Sequence, residues 1–163
     1  MASFRNHLLL FVAKKELGKF IPGASRVLRM QRHALINRTD NLLETARDLK
    51  KFAKASASIW GCPVIFPEGT RSTTGMLKPF QSGAYKIIQT YKSLPIVVIA
   101  IDGGQHLSHL SNFRKRTSQI YRMKVLSVLE PPEKKSDIQT TLEQARSLIS
   151  NQLFEWRSQS SSD

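Results

Sequence analysis

Cys62-Pro63-Val64-Ile65-Phe66-Pro67-Glu68-Gly69-Thr70-Arg71-Ser72 is the stretch on which the reading of this chain turns. Cys62 to Phe66 is an apolar run of strand length, Pro67 to Lys78 is polar and reads as a loop, and Pro79 to Tyr91 returns to helical spacing. Ala84, Ile87, Ile88 and Tyr91 form the expected buried side of that helix. A glycine-containing loop between a strand and a helix can bring backbone N–H groups close to an anion. Arg71 adds a planar guanidinium suited to bidentate contact with phosphate oxygens, and Thr70 and Ser72 add hydroxyl donors. Glu68 can orient the arginine or accept a substrate hydroxyl. On the residues alone two readings stand: a phosphate site, or a polar loop held by a Glu68–Arg71 pair.

Upstream, residues 5–20 read as an amphipathic helix, with Leu9, Val12, Ala13, Leu17 and Phe20 near helical spacing among Lys14, Lys15 and Lys19. Pro22-Gly23 ends it, residues 24–32 read as a short second helix, and Ala34-Leu35-Ile36 as a brief buried strand. Thr39 and Asp40 are candidate caps for a longer helix with Leu42, Leu43, Ala46, Leu49, Phe52 and Ala53 on its apolar stripe, ending by Gly61. Downstream, Pro95 to Ile101 is a continuous β-branched run, which predicts a strand covered on both faces and a near neighbour of the 62–66 strand in one sheet. Tyr121 to Leu129 alternates loosely and reads as another strand. Ser136 and Gln139 have capping-box spacing, and Ile138, Leu142, Ala145, Ile149 and Leu153 mark the inner face of a last helix. Strands alternating with helices predict a single α/β domain over residues 1–157, with a mostly parallel sheet flanked by helices, and a frayed tail at 158–163.

At 163 residues the chain can bury a substantial core, and 40% hydrophobic with 23% charged residues excludes a wholly disordered chain. One cysteine, Cys62, excludes an internal disulfide and a cysteine-based zinc cluster, fits a reducing compartment, and reads as a buried, inert thiol. The longest apolar run near the N-terminus, Leu8 to Ala13, is six residues, where a span needs about 20. The net charge of +13 is uneven: residues 1–60 contribute +8, residues 61–120 contribute +5, and residues 121–163 are neutral. Such a field attracts nucleic acid, an anionic membrane surface or phosphorylated substrates. The basic residues are not interleaved with aromatics and no RNA- or DNA-binding motif appears, which counts against nucleic acid.

The segment Phe66 to Ser72 resembles, at seven consecutive positions, the glycerophosphate-binding motif of the glycerolipid acyltransferases that acylate lysophosphatidic acid and related glycerol phosphates. Gly75, Leu77, Pro79-Phe80 and Gly83-Ala84 resemble its continuation. Ala13-Lys14-Lys15-Glu16-Leu17 resembles the family's Ala-Lys-x-Glu-Leu segment, Pro22 falls where its proline does, and Arg38, sixteen residues beyond Pro22, matches the arginine of its second motif. Ser25 and Arg32 stand where glycine is usual. Leu94 to Val98 resembles the fourth motif, with Val98 in place of a proline. The resemblance covers about residues 6–101. It implies acyl transfer from a thioester donor, acyl-CoA or acyl-carrier protein, to a lysophospholipid hydroxyl, without a metal cofactor. It further implies that Lys14, Arg38, Glu68, Gly69, Thr70 and Arg71 hold the acceptor phosphate, and that the basic surface faces anionic lipid at the cytoplasmic side of a membrane.

The family's catalytic motif is a histidine followed five residues later by aspartate. The residues five beyond His7, His33, His106 and His109 are Val12, Arg38, Ser111 and Arg114, so no histidine of this chain has that partner. Asn6-His7 resembles the opening of the motif and makes His7 the candidate base. The alternatives are an N-terminally incomplete domain, or a phospholipid-binding module that keeps the phosphate loop without the base. His106 and His109, three apart, have only Asp102 nearby as a further metal ligand. His33 reads as structural.

Overall fold

The computed structural model describes residues 9–14, 34–36, 42–58, 61–70, 72, 74–103 and 121–160. Its elements run β1 (Leu9–Lys14), β2 (Ala34–Ile36), α1 (Leu42–Ser58), β3 (Cys62–Val64), α2 (Gly83–Tyr91), β4 (Ile96–Asp102), β5 (Arg122–Leu129) and α3 (Asp137–Ser160). The class is mixed α/β, as the sequence predicts. By their contacts the residues divide into two units: Met1–Phe66 with Gly83–Ser93, and Pro67–Ser82 with Leu94–Asp163.

The first unit is built on a parallel sheet of order β2-β1-β3. In register, Val12 to Lys14 lie opposite Ala34 to Ile36, and Leu9 to Phe11 opposite Cys62 to Val64. Over residues 9–14 this corrects the helix expected for 5–20, whose remaining positions lie outside the described residues. An apolar run of six is ambiguous between helix and strand. Here, hydrogen-bonded neighbours on both sides decide it, and Leu10 becomes the most deeply buried large side chain, 1% exposed. Leu10 packs with Leu49, Phe52 and Ala53 of α1 and Ile88 of α2, and Val12, Ile65, Ala84 and Ile87 close the cluster. α1 begins at Leu42 and carries its stripe as predicted at positions 49, 52 and 53, whereas Leu43 is 80% exposed. α2 begins at Gly83 rather than Pro79, and buries Tyr85 and Ile88 while leaving the expected core residue Tyr91 exposed. Burial pushes the Tyr85 hydroxyl pKa up, against the lowering effect of its hydrogen bond from Gln89 Nε2 at 2.7 Å. Cys62 is exposed, not buried, because it opens a strand on the sheet's edge opposite the exposed Leu9.

The second unit pairs β4 with β5 in an antiparallel ribbon, with a register irregularity between Val98 and Ile99. Two expectations fail here. Among the described residues β3 and β4 belong to separate sheets, and β4 is covered on one face only. Val98 and Ala100 are buried, whereas Val97, Ile99 and Ile101 are exposed. The physical reason is the partner: α3 packs on one side of the ribbon, burying Val98, Leu129 and Ala145 with Phe80, Ile96, Leu126, Leu148 and Ile149 around them. α3 starts one residue beyond Ser136, whose Oγ donates to the Asp137 carboxylate at 2.8 Å, while the Gln139 amide donates to Glu143, so side-chain pairs stand where a capping box was expected. The helix runs on to Ser160, so residues 158–160 are helical rather than part of a tail. Among the described residues no helix is long and apolar enough to cross a membrane.

Candidate functional site

The motif loop is built from inside the second unit. Gln81 N–H donates to Pro67 C=O at 2.8 Å and closes the neck of the loop. One step further out, Lys78 N–H donates to Glu68 Oε2 at 2.9 Å, bridging ten residues. A carboxylate accepting a backbone N–H is a charge-assisted bond, stronger than a neutral one. The glutamate of the motif therefore acts as a brace across its own loop. Beyond the brace, Ser72 Oγ donates to Met76 C=O at 3.0 Å and Met76 N–H reaches Thr74 Oγ1 at 3.3 Å.

Gly69 and Gly75 turn the chain with φ of +70° and +78°. Among the described residues the only atom near a Cβ added at Gly69 is Gln81 Cγ at 3.9 Å, so it is the positive φ that calls for glycine there. Thr70, next in the chain, is exposed.

Two arginines of α3 hold the far side of this loop. Arg146 Nε donates to Lys78 C=O at 3.3 Å. Arg157 Nη2 donates to Gly75 C=O at 2.8 Å and to Asp102 Oδ1 at 2.8 Å, with Nε reaching Asp102 Oδ2 at 3.3 Å. The hydrogen bond from Arg157 is the main cause that holds the Asp102 carboxyl below its usual range, opposed by partial burial and helped by the Gly103 N–H and the charges of Arg157 and Arg122. Asp102 is thus engaged by an arginine, which weakens its candidacy as a metal ligand beside His106 and His109. Among the described residues no group of three or more His, Cys, Asp or Glu could hold a metal ion.

Of the six expected phosphate-binding positions, Glu68, Gly69 and Thr70 lie on this loop. Lys14 is described by its backbone only, as the last residue of β1 opposite Ile36. His7, Arg38 and Arg71 lie outside the described residues, as do Thr39, Asp40 and the segment 24–32. Because β1, β2 and β3 are parallel, the chain leaves all three at the same edge. Lys14 ends β1 there, and Arg38 follows two residues after β2. Arg157 and Arg146 are the site-building residues that sequence reasoning missed, since neither belongs to any motif.

The family model named Acyltransferase matches residues 1–102. A 1-acyl-sn-glycerol-3-phosphate acyltransferase of Cocos nucifera is 36% identical over 102 residues, which are 62% of this chain and 32% of that protein. The chain therefore spans about a third of the relative that it matches. No solved structure matches it. The braced motif loop and a family match extending over more than half of the sequence lead to one conclusion: this chain belongs to the glycerolipid acyltransferase family.

Proposed function

We propose that this chain is a phospholipid-biosynthetic acyltransferase domain, which moves an acyl group from a thioester donor, acyl-CoA or acyl-carrier protein, to lysophosphatidate or a similar lysoglycerophospholipid. The observation that carries the reading is the loop itself: the seven-residue motif sits on a turn whose own glutamate braces it, with Gly69 at positive φ. In this reading Arg71, Arg38 and Lys14 hold the acceptor phosphate. For Lys14 the support is its place at the end of β1, on the edge at which β2 and β3 also end, since α/β sheets bind ligands beyond the carboxyl ends of their strands. The +13 charge draws the chain to anionic headgroups.

A second reading is favoured by one sequence fact, that no histidine has an acidic residue at the fifth position. An imidazole without its orienting carboxylate loses about 10⁴ in rate in the comparable serine-protease arrangement. Under this reading the chain binds anionic phospholipid through the loop and turns over little.

One assay separates the two: thioester consumption with lysophosphatidate as acceptor, on the chain and its His7→Ala variant, beside a vesicle-binding titration. Phospholipid binding with transfer barely above background, and less than a tenfold effect of His7→Ala, is the outcome of the second reading, given that a positioned base contributes about 10²–10⁴. Robust turnover abolished by His7→Ala makes His7 the working base. Robust turnover untouched by it moves the chemistry to another residue, His33 first. An absence of vesicle binding by the wild-type chain refutes both readings.

A further inference from the structure

We infer that Arg157 is a positioning residue for the motif loop: from the last helix, it anchors the loop at Gly75 and so sets how the loop meets an acceptor phosphate. The inference rests on the reading of that loop as the phosphate site. It goes beyond that reading in assigning a role to a residue outside the segment of the chain that the family model covers, residues 1–102.

Three observations carry it. First, one guanidinium joins three separate parts of the second unit. Nη2 is shared between Gly75 C=O and Asp102 Oδ1, both at 2.8 Å, and Nε completes a fork on Asp102 at 3.3 Å. A planar fork held on a carboxylate has little freedom left, so the donor aimed at Gly75 is directed as well as available. Second, the guanidinium is carried on a fixed backbone. Arg122 of β5 donates to the carbonyl of Trp156, the residue before Arg157, at 2.6 Å, and Lys124 Nζ donates to Gln152 Oε1 at 2.7 Å one turn earlier. The final turns of α3 are thereby tied to β5, while Asp102, at the end of β4, is tied to Arg157. Third, the acceptor is well placed for control. Gly75 stands at φ +78°, three residues before Lys78 of the brace, and the next residue's carbonyl accepts from Ser72. Releasing the Gly75 carbonyl frees the half of the loop that the brace does not reach.

Arg157 is 40% exposed at its side chain, so removing it leaves water access rather than a buried hole. The fold should survive Arg157→Ala, and the effect should fall on the loop.

The test combines hydrogen exchange by mass spectrometry with binding of a soluble short-chain lysophosphatidate, on wild type and Arg157→Ala, each with and without millimolar methylguanidinium. Amides of 69–78 should exchange faster in the variant while those of 122–129 keep their rates. Affinity should fall about tenfold, the scale of one lost charged hydrogen bond, and methylguanidinium should restore both. Unchanged loop exchange overturns the inference. So does a uniform acceleration of 69–78 and 122–129 together, which marks a merely structural role. So, too, does loosened loop exchange with unaltered affinity. If wild type binds no lysophosphatidate yet loop protection still depends on Arg157 and returns with methylguanidinium, the positioning stands and the proposed function falls.

Discussion

Glu68 offers the sharpest test of how the motif works, because the brace and a chemical role predict different outcomes for one conservative change. In Glu68→Gln the amide oxygen can still accept the Lys78 N–H, and only the charge is lost. In Glu68→Ala the acceptor itself is gone. A hydrogen bond to a charged group contributes about 1.5–3 kcal/mol. The Glu68–Lys78 bond is exposed, and water can replace the lost acceptor, so the cost falls to the bottom of that range or just below it, roughly 1–1.5 kcal/mol for Glu68→Ala. Since about 1.4 kcal/mol is tenfold, loop closure and lysophosphatidate affinity should both fall by about 5- to 10-fold. Glu68→Gln should keep the neutral bond and lose less than about threefold. The Lys78 amide is the direct reporter: its exchange rate, followed by NMR, should rise in Glu68→Ala and remain near wild type in Glu68→Gln. If the glutamate instead served by orienting Arg71 or by accepting a substrate hydroxyl, Gln and Ala would damage binding equally while leaving the Lys78 amide protected. That pattern would refute the brace.

Three further outcomes follow from the packing. Gly61→Ala should destabilise the first unit by about 1–3 kcal/mol in urea unfolding, because an added Cβ falls within contact distance of Leu10 Cδ1 and 3.2 Å from its Cγ; in a Leu10→Ala background the same change should cost little, and full additivity would discount the clash. On β4, Val98→Ala should cost about 2–3 kcal/mol, two buried methyl groups plus a cavity, whereas Ile99→Thr on the open face should stay within about 0.5 kcal/mol; equal costs would mean that both faces are covered. The Asp102 carboxyl has its pKa lowered on folding, so its contribution is complete above the unfolded value near 3.9 and is lost as pH falls through the folded value below it. The melting temperature of wild type should therefore drop more steeply than that of Asp102→Asn below about pH 4, and parallel curves would remove the pair from the acid response.

The helices were legible because their apolar positions repeat locally: positions 49, 52 and 53 of α1 and 138, 142, 145 and 153 of α3 are buried as their spacing predicts. What went unread depends on partners far along the chain. β1 looks helical until it pairs with strands that begin about 20 and 50 residues later. The β-branched run of β4 implies two covered faces, but among the described residues it pairs with one ribbon strand and packs on one helix. At the site, the motif named Glu68 but not its role, since a backbone N–H ten residues on leaves no trace in residue types. Arg157 had still less of a signal, with Gly75 82 residues away and Asp102 55 residues away. The side chains of Lys14, Arg38 and Arg71 lie outside what the structure describes, and their meeting remains the expectation that the motifs raise.

The open side of the β4–β5 ribbon has a consequence for handling the protein. Val97 faces Val128, Ile99 faces Val125 and Ile101 faces Met123, and all six are exposed. This oily strip belongs to a chain of net charge +13, so in dilute buffer like-charge repulsion keeps copies apart. Concentrated salt removes that protection, since screening shortens the reach of charge to about 3 Å at 1 M, while contact between apolar strips is not weakened in the same way. The salt wash that strips polyanions from a basic protein is thus the condition under which this one should become turbid, and light scattering during a salt ramp should rise where anion binding falls.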